Sequence, residues 1–329
     1  MSLIRGSACA LRILCSGGQQ LTNQNIRNIA RWVAPTLKEI RKRKNKMAPS
    51  PPVKRSGFID WNWNAELFAF SKRLHEDFNP EFLQEAFTVR SYIIQEEQKQ
   101  QAVGIENPVT NLKDNLALAS SGTDILSAYA EMFISSQLPK LPINGVRAVR
   151  DYLLSDGVLA NVSRHIGTKD LILTAEFPPD KPTLANTFKA VVSALNKSSG
   201  NEKSFEFVRD FLFTQLNQKD IDSMWDIERP IELLQEYCRA NKFAEPEPRL
   251  LNDAGKNTIM AVYHVGIYCD RKMLAAGFGE NVNTAIEVAA INCLKRFYDI
   301  ENPRPYNFKI TLKEVEESLQ NRRKVERQV

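Results

Sequence analysis

This chain of 329 residues has many residues able to do chemistry, but few are spaced to do it together. The three histidines, His75, His165 and His264, stand far apart. None has a Cys or Ser partner at a spacing that would make a nucleophile–base pair. The five cysteines, Cys9, Cys15, Cys238, Cys269 and Cys293, form no CxxC pair and no Cys/His cluster with zinc spacing. The last three sit in apolar, regularly patterned segments and are expected as buried thiols, and an odd, unclustered set fits a reducing compartment. Gly277-Phe278-Gly279 is a fragment of a Gly-rich loop without the strand–GxGxxG frame that cradles a nucleotide, and it reads as a turn. What remains is positive charge. Arg41, Lys42, Arg43, Lys44 and Lys46 put five cations into six residues, an arm of the kind that tracks phosphates. Arg147 and Arg150, three residues apart, share one helix face, and Arg322-Arg323-Lys324 makes a third cluster.

The charge is unevenly placed. Lys and Arg number 44 against 39 Asp and Glu, a net +5, but residues 1–46 alone hold ten cations and the single acid Glu39. The rest of the chain is therefore net acidic, and basicity belongs to the leader. Ser2 to Trp32 is Arg-bearing, acid-free and rich in Ser, Ala and Leu, which predicts a mitochondrial transit peptide, with a disordered basic tail as the alternative. Residues 1–46 are taken as transit peptide and basic arm. Pro49-Ser50-Pro51-Pro52 predicts a stiff, extended linker within residues 47–57. No run approaches the eighteen or so apolar residues that span a bilayer.

Beyond the linker, hydrophobic periodicity sets the elements. Leu67, Phe70 and Leu74 recur at helical spacing, with Trp61 and Trp63 as packing anchors at the helix entry. Periodic segments follow at 81–89, 112–137, 146–154, 158–165, 183–195 and 205–216. Breaks fall at Gly104, Asn107-Pro108, Pro139 to Pro142, Pro178-Pro179 and Ser198 to Gly200. This predicts an all-α domain of six or more helices over residues 58–222. From Arg229 the texture changes. A helix is expected over 230–241, a short extended piece over 247–251, a turn over 252–257, and strands over 259–268 and 272–276. A long helix follows over 283–298, an α-β-β-β-α order within residues 228–300. Residues 301–329 form a charged tail. Ile310, Leu312, Val315 and Leu319 make a seam too short for a coiled coil, so it is expected to dock.

The segment Phe82 to Tyr92 resembles the opening helix of the ribonuclease III family, with Val89 where that family has a His. Asn115 to Leu126 is similar to its signature helix, the frame kept by Asn115, Leu118, Gly122 and Leu126, and Leu184 to Leu195 is similar to its second acidic helix. The resemblance implies an all-α ribonuclease III-like domain whose four metal-binding carboxylates would fall on Ala119, Thr123, Asn186 and Lys189. Phosphodiester hydrolysis of that type needs Mg²⁺ held by hard anionic oxygens. A methyl, a hydroxyl, an amide and an ammonium do not supply them, so no catalytic residue, metal or cofactor is expected. Asp124 is one residue late and rotated about 100° off the face, and Asp114 and Glu131 are displaced as well.

The second domain resembles the double-stranded-RNA-binding domain through Leu233 to Cys238 and Ala289-Ala290. That family reads RNA by shape, through 2′-OH groups and phosphates. Glu236 keeps the first-helix acid, and Lys256 lies in the loop Gly255 to Thr258, which resembles the family's GPxH loop without its His. The lysines that usually open the last helix fall on Val282, Asn283 and Ile286, so the usual duplex contacts are largely absent. Taken together, the chain resembles the ribonuclease III-like family of the mitochondrial large ribosomal subunit. The resemblance implies a structural protein of the matrix, contacting ribosomal RNA and neighbouring mitoribosomal proteins through patches such as Arg41 to Lys46, Arg147 with Arg150, and Arg322 to Lys324. It also implies a homodimer or a heterologous partner on the helical surface. A matrix endoribonuclease and a free RNA-binding factor of mitochondrial RNA processing are the alternatives.

Overall fold

In a computed structural model of the protein, the described residues are 34–47, 54–105, 112–217, 219–256, 258–301 and 305–326. The segment expected as a transit peptide, Ser2 to Trp32, the Pro-rich stretch Pro49 to Pro52 and the break at Asn107-Pro108 lie outside them, as do the side chains of Arg322, Arg323 and Lys324. The chain divides into two units, Met1–Val53 and Lys54–Val329. The first contributes helix α1, Ala34–Lys46, so the basic run expected as an arm is helical.

The second unit opens with α2 (Trp63–Leu74), α3 (Pro80–Phe87) and α4 (Arg90–Ala102). Local chemistry starts the first two. The Asn62 side chain accepts from the Ala65 N–H and the Asn79 side chain from the Glu81 N–H, while Pro80 takes the first turn, where its missing N–H costs nothing. Trp63 is an anchor: its indole N–H donates to the Leu171 carbonyl at 3.0 Å. The centre of the domain is α5 (Leu116–Gln137) packed along α8 (Lys181–Phe211), with α6 (Ile143–Leu153) and α7 (Asp156–Ile166) against them. Leu118, Gly122, Leu126, Tyr129, Ala130, Phe133 and Ile134 form the buried stripe of α5 at three-to-four spacing. The break expected at Ser198 to Gly200 is a kink in α8, where Gly200 takes φ 85° in the middle of an otherwise helical run.

The α-β-β-β-α region comprises α9 (Pro230–Ala240), β1 (Glu247–Ala254), β2 (Val262–Cys269), β3 (Lys272–Gly279) and α10 (Val282–Phe297). The sheet is antiparallel in the order β1-β2-β3, with α10 packed across β2 and β3. Three local expectations are corrected. β1 runs on through Asn252 to Ala254 after a register shift between Leu250 and Asn252. β2 begins at Val262, leaving Ile259 and Met260 exposed in the turn. Gly277-Phe278-Gly279 is the end of β3, paired with Val265, His264 and Tyr263, not a turn. The glycines serve packing here: a Cβ on Gly277 would lie 2.3 Å from the Ala289 nitrogen of α10.

Both regions share one hydrophobic cluster, running from Leu67 and Phe70 through Phe188 and Phe213 to Leu234, Cys293 and Tyr298. Trp225 stands between them, 5.9 Å from the Tyr298 ring and against Gly145 of α6. Lys295 pairs with Asp222 at 2.6 Å, and Lys140 with Asp299 at 2.6 Å. The seam of the tail helix α11 (Leu312–Glu326) is its docking face: Leu312 and Val315 are buried on α5, and Phe308 stacks near Phe133 at 6.2 Å. Arg209 of α8 donates to the Ile310 carbonyl at 3.0 Å.

Cys238, Cys269 and Cys293 are buried free thiols. Burial pushes the Cys293 thiol up to about 12 from 9.0. A group whose folded pKa is raised stabilises the fold fully below its unfolded pKa and loses that contribution as pH rises. Stability from this proton should hold below pH 9 and fall between pH 9 and about 12, a decline that Cys293→Ala should lessen in pH-resolved denaturation. Native Cys293 should also resist iodoacetamide at pH 8.

Candidate functional site

The four positions singled out by the resemblance meet where α5 crosses α8. The crossing is fixed by backbone, because a Cβ on Gly122 would lie 2.0 Å from the Lys189 carbonyl oxygen. Ala119 and Thr123 flank that glycine on α5, while Asn186 and Lys189 lie one turn apart on α8. Ala119 is buried, and the Thr123 hydroxyl is turned back on its own helix, donating to the Ala119 carbonyl at 2.9 Å. The Lys189 side chain is only 14% exposed, and its ammonium sits 3.9 Å from a carboxylate oxygen of Asp156, in the first turn of α7. That partner was not legible in the sequence, because it lies 33 residues upstream on a different helix with no motif around it. The crossing therefore holds a largely buried ammonium near one exposed carboxylate. A half-buried cation at the crossing repels a divalent metal instead of attracting one.

The nearby acids face solvent or are paired with arginines. Asp124 is exposed, Asp114 pairs with Arg90 at 3.1 Å, and Glu131 pairs with Arg150. Among the described residues no group of three His, Cys, Asp or Glu could hold a metal ion. The histidines are equally dispersed. His75 caps α2 in a left-handed conformation, His165 Nδ1 lies 2.7 Å from the Asn161 carbonyl, and His264 stacks on Phe278 with ring centroids 4.1 Å apart.

The cationic candidates fall in separate places. Arg41, Lys42, Arg43, Lys44 and Lys46 all lie on α1 and are exposed. Arg147 is exposed on α6, but Arg150, one turn on, is shared between Asp151 at 2.7 Å and Glu131, and its pKa is raised first by the Asp151 hydrogen bond. In the second region Glu236 is exposed on α9, and Lys256, just after β1, lies 3.5 Å from Asp253. The first turn of α10 carries Val282 and Asn283 and no cation.

The family model "Large ribosomal subunit protein mL44, endonuclease domain" matches residues 62–195, and the model "MRPL44 dsRNA-binding domain" matches residues 225–328. The chain belongs to the mL44 family. It is 28% identical over 284 residues to the large ribosomal subunit protein mL44 of Caenorhabditis elegans, covering 83% of this chain and 69% of that protein. It is 26% identical over 179 residues to a protein named Ribonuclease 3 2 from a Nostoc species, covering 51% of this chain and 72% of the relative. Among solved structures it is similar to the nuclease domain of ribonuclease III from Campylobacter jejuni, at 15% identity, 46% of this chain, 96% of that chain and a TM-score of 0.38. Within the family frame, the helical region is the ribonuclease III-like domain and the α-β-β-β-α region the double-stranded-RNA-binding-like domain.

Two predictions follow from the crossing. Gly122→Ala must push α5 from α8 and should cost about 1–3 kcal/mol, read as a Tm drop of several degrees, whereas Gly157→Ala, with nothing within 4 Å of its added Cβ, should not. The combined variant Ala119→Glu, Thr123→Asp, Asn186→Asp and Lys189→Glu should gain Tm on adding Mn²⁺ or Mg²⁺, since metal binding to the native state stabilises it. The parent protein should show no such gain, and a calorimetric titration would check both.

Proposed function

We propose that this protein is a structural component of the large subunit of the mitochondrial ribosome, working in the matrix in support of mitochondrial translation. Its role would be to contact ribosomal RNA and neighbouring ribosomal proteins, with a nuclease fold used as a shape and not as a catalyst. The observation that carries this reading is the tandem match to two domains of one ribosomal-protein family, in order, across residues 62–195 and 225–328.

The chemistry of the α5–α8 crossing supports the non-catalytic part. Activating water for phosphodiester cleavage needs a bound divalent ion. Ala119, Thr123 and Asn186 offer no anionic oxygen, and Lys189 brings the wrong charge. The charge placement supports a division of labour for RNA. Arg41 to Lys46 and Arg147 are exposed, and with Arg322 to Lys324 they would supply phosphate contacts. Arg150 and Lys256 are partly neutralised by their carboxylate partners and would contribute less. With no cation opening α10, the second domain would serve chiefly as a docking body, Glu236 included. The helical surface of the first domain would take a protein neighbour or a second copy.

Sedimentation of mitochondrial lysate on a sucrose gradient tests the reading. The protein should travel with the large subunit and stay there through a high-salt wash. Recovery in the light fractions would overturn it. Purified chain at high concentration with Mg²⁺ should leave duplex RNA uncut.

A further inference from the structure

Helix α1 carries Lys38, Arg41, Lys42, Arg43, Lys44 and Lys46 against the single acid Glu39, which reaches Arg43 at 3.6 Å. At about 100° per residue, and counting from Lys38, Lys42 and Lys46 follow at about 40° and 80°, Arg43 at about 140°, Lys44 at about 240° and Arg41 at about 300°. Charge therefore surrounds the helix. Its two large aliphatic side chains, Leu37 and Ile40, are each 55% exposed and fall near 260° and 200°, with Lys44 between them. That is too narrow and too interrupted an apolar face for a helix lying in a membrane interface, which needs a continuous one.

The helix is also at odds with itself. Lys38–Arg41, Arg41–Lys44 and Arg43–Lys46 are like-charge pairs at i,i+3, and Lys38–Lys42 and Lys42–Lys46 at i,i+4. Each such pair costs about 0.2–0.5 kcal/mol. A helix of 13 residues is marginal on its own even without such repulsion. An anionic partner that neutralised the cations would remove the repulsion, and only a partner present on more than one side would remove all of it.

We infer that α1 binds RNA with phosphates on opposite sides of it, seated in a cleft between backbone segments and not laid along one surface. This deepens the RNA-contacting part of the reading above and rests on it. The ordering of α1 is coupled to the binding, because neutralising the cations is what favours the helical form.

The test uses the full chain and a transcript of large-subunit mitochondrial ribosomal RNA, with affinity measured against salt. One variant carries Lys38→Gln, Lys42→Gln and Lys46→Gln, and a second carries Arg41→Gln and Lys44→Gln, centred about 130° round the helix from the first set. All five residues are exposed, so neither variant should disturb the fold. Each lost phosphate contact should flatten the slope of log K against log salt by about 0.7–0.9, and both variants should flatten it. A slope changed by only one variant means a single-sided contact and overturns the inference. Binding to vesicles containing phosphatidylserine as tight as to the transcript overturns it in favour of a membrane. In hydrogen exchange on the same chain, residues 34–46 should slow several-fold when RNA is added, and unchanged exchange also overturns it. Sedimentation of the parent chain reads the ribosomal assignment separately. A two-sided slope in a chain found off the subunit keeps this inference and sinks that assignment, and a one-sided slope in a chain found on it does the reverse.

Discussion

The contact between Gly122 and the Lys189 carbonyl is the one on which the larger domain depends. Helices normally keep 8–10 Å between axes because side chains intervene. At this point none does, and a Cβ would lie 2.0 Å from the carbonyl oxygen. Bringing α5 and α8 together at backbone distance sets the faces that surround the crossing. Leu118, Leu126, Phe188 and Val192 fill the layers on either side, and α7 and α3 pack against α8 around them. The same closeness gathers Ala119, Thr123, Asn186 and Lys189. The crossing thus concentrates an amide, a back-bonded hydroxyl and an ammonium 3.9 Å from a carboxylate oxygen.

The two domains are not beads on a linker. A shared hydrophobic cluster, the Trp225–Tyr298 contact and the Lys295–Asp222 pair join them, so the orientation of the sheet relative to the helical domain is built into the core of Lys54–Val329. Such an arrangement suits a protein whose surface has to match fixed neighbours, since domain motion would blur that match.

Much of this was legible in the residues. Three-to-four spacing gave the helical domain, and alternation over 259–268 gave the central strand, which in the structure begins at Val262. The frame Asn115, Leu118, Gly122 and Leu126 pointed to the helix whose Gly122 meets α8 at backbone distance. The failures have physical reasons. Gly277 and Gly279 look locally like a turn, but their missing side chains let α10 approach β3, a cause that lies across the fold from the glycines. Asn252 and Asp253 look like turn residues too, yet cross-strand pairing with His264 and Tyr263 keeps them extended. Arg150 reads as a free cation in sequence, because Glu131, nineteen residues away on another helix, is what engages it. The Lys189–Asp156 pair was invisible for the same reason.

The docked tail has a consequence for the order in which the protein is made. Leu312 and Val315 seal the face of α5 around Phe133, with Phe308 and Tyr306 alongside. These residues follow the end of α5 by some 170 positions, and domains fold largely as they emerge. Throughout that interval the ribonuclease III-like domain would carry an uncovered aromatic patch. A nascent chain of this protein therefore keeps that patch open to solvent until α11 arrives.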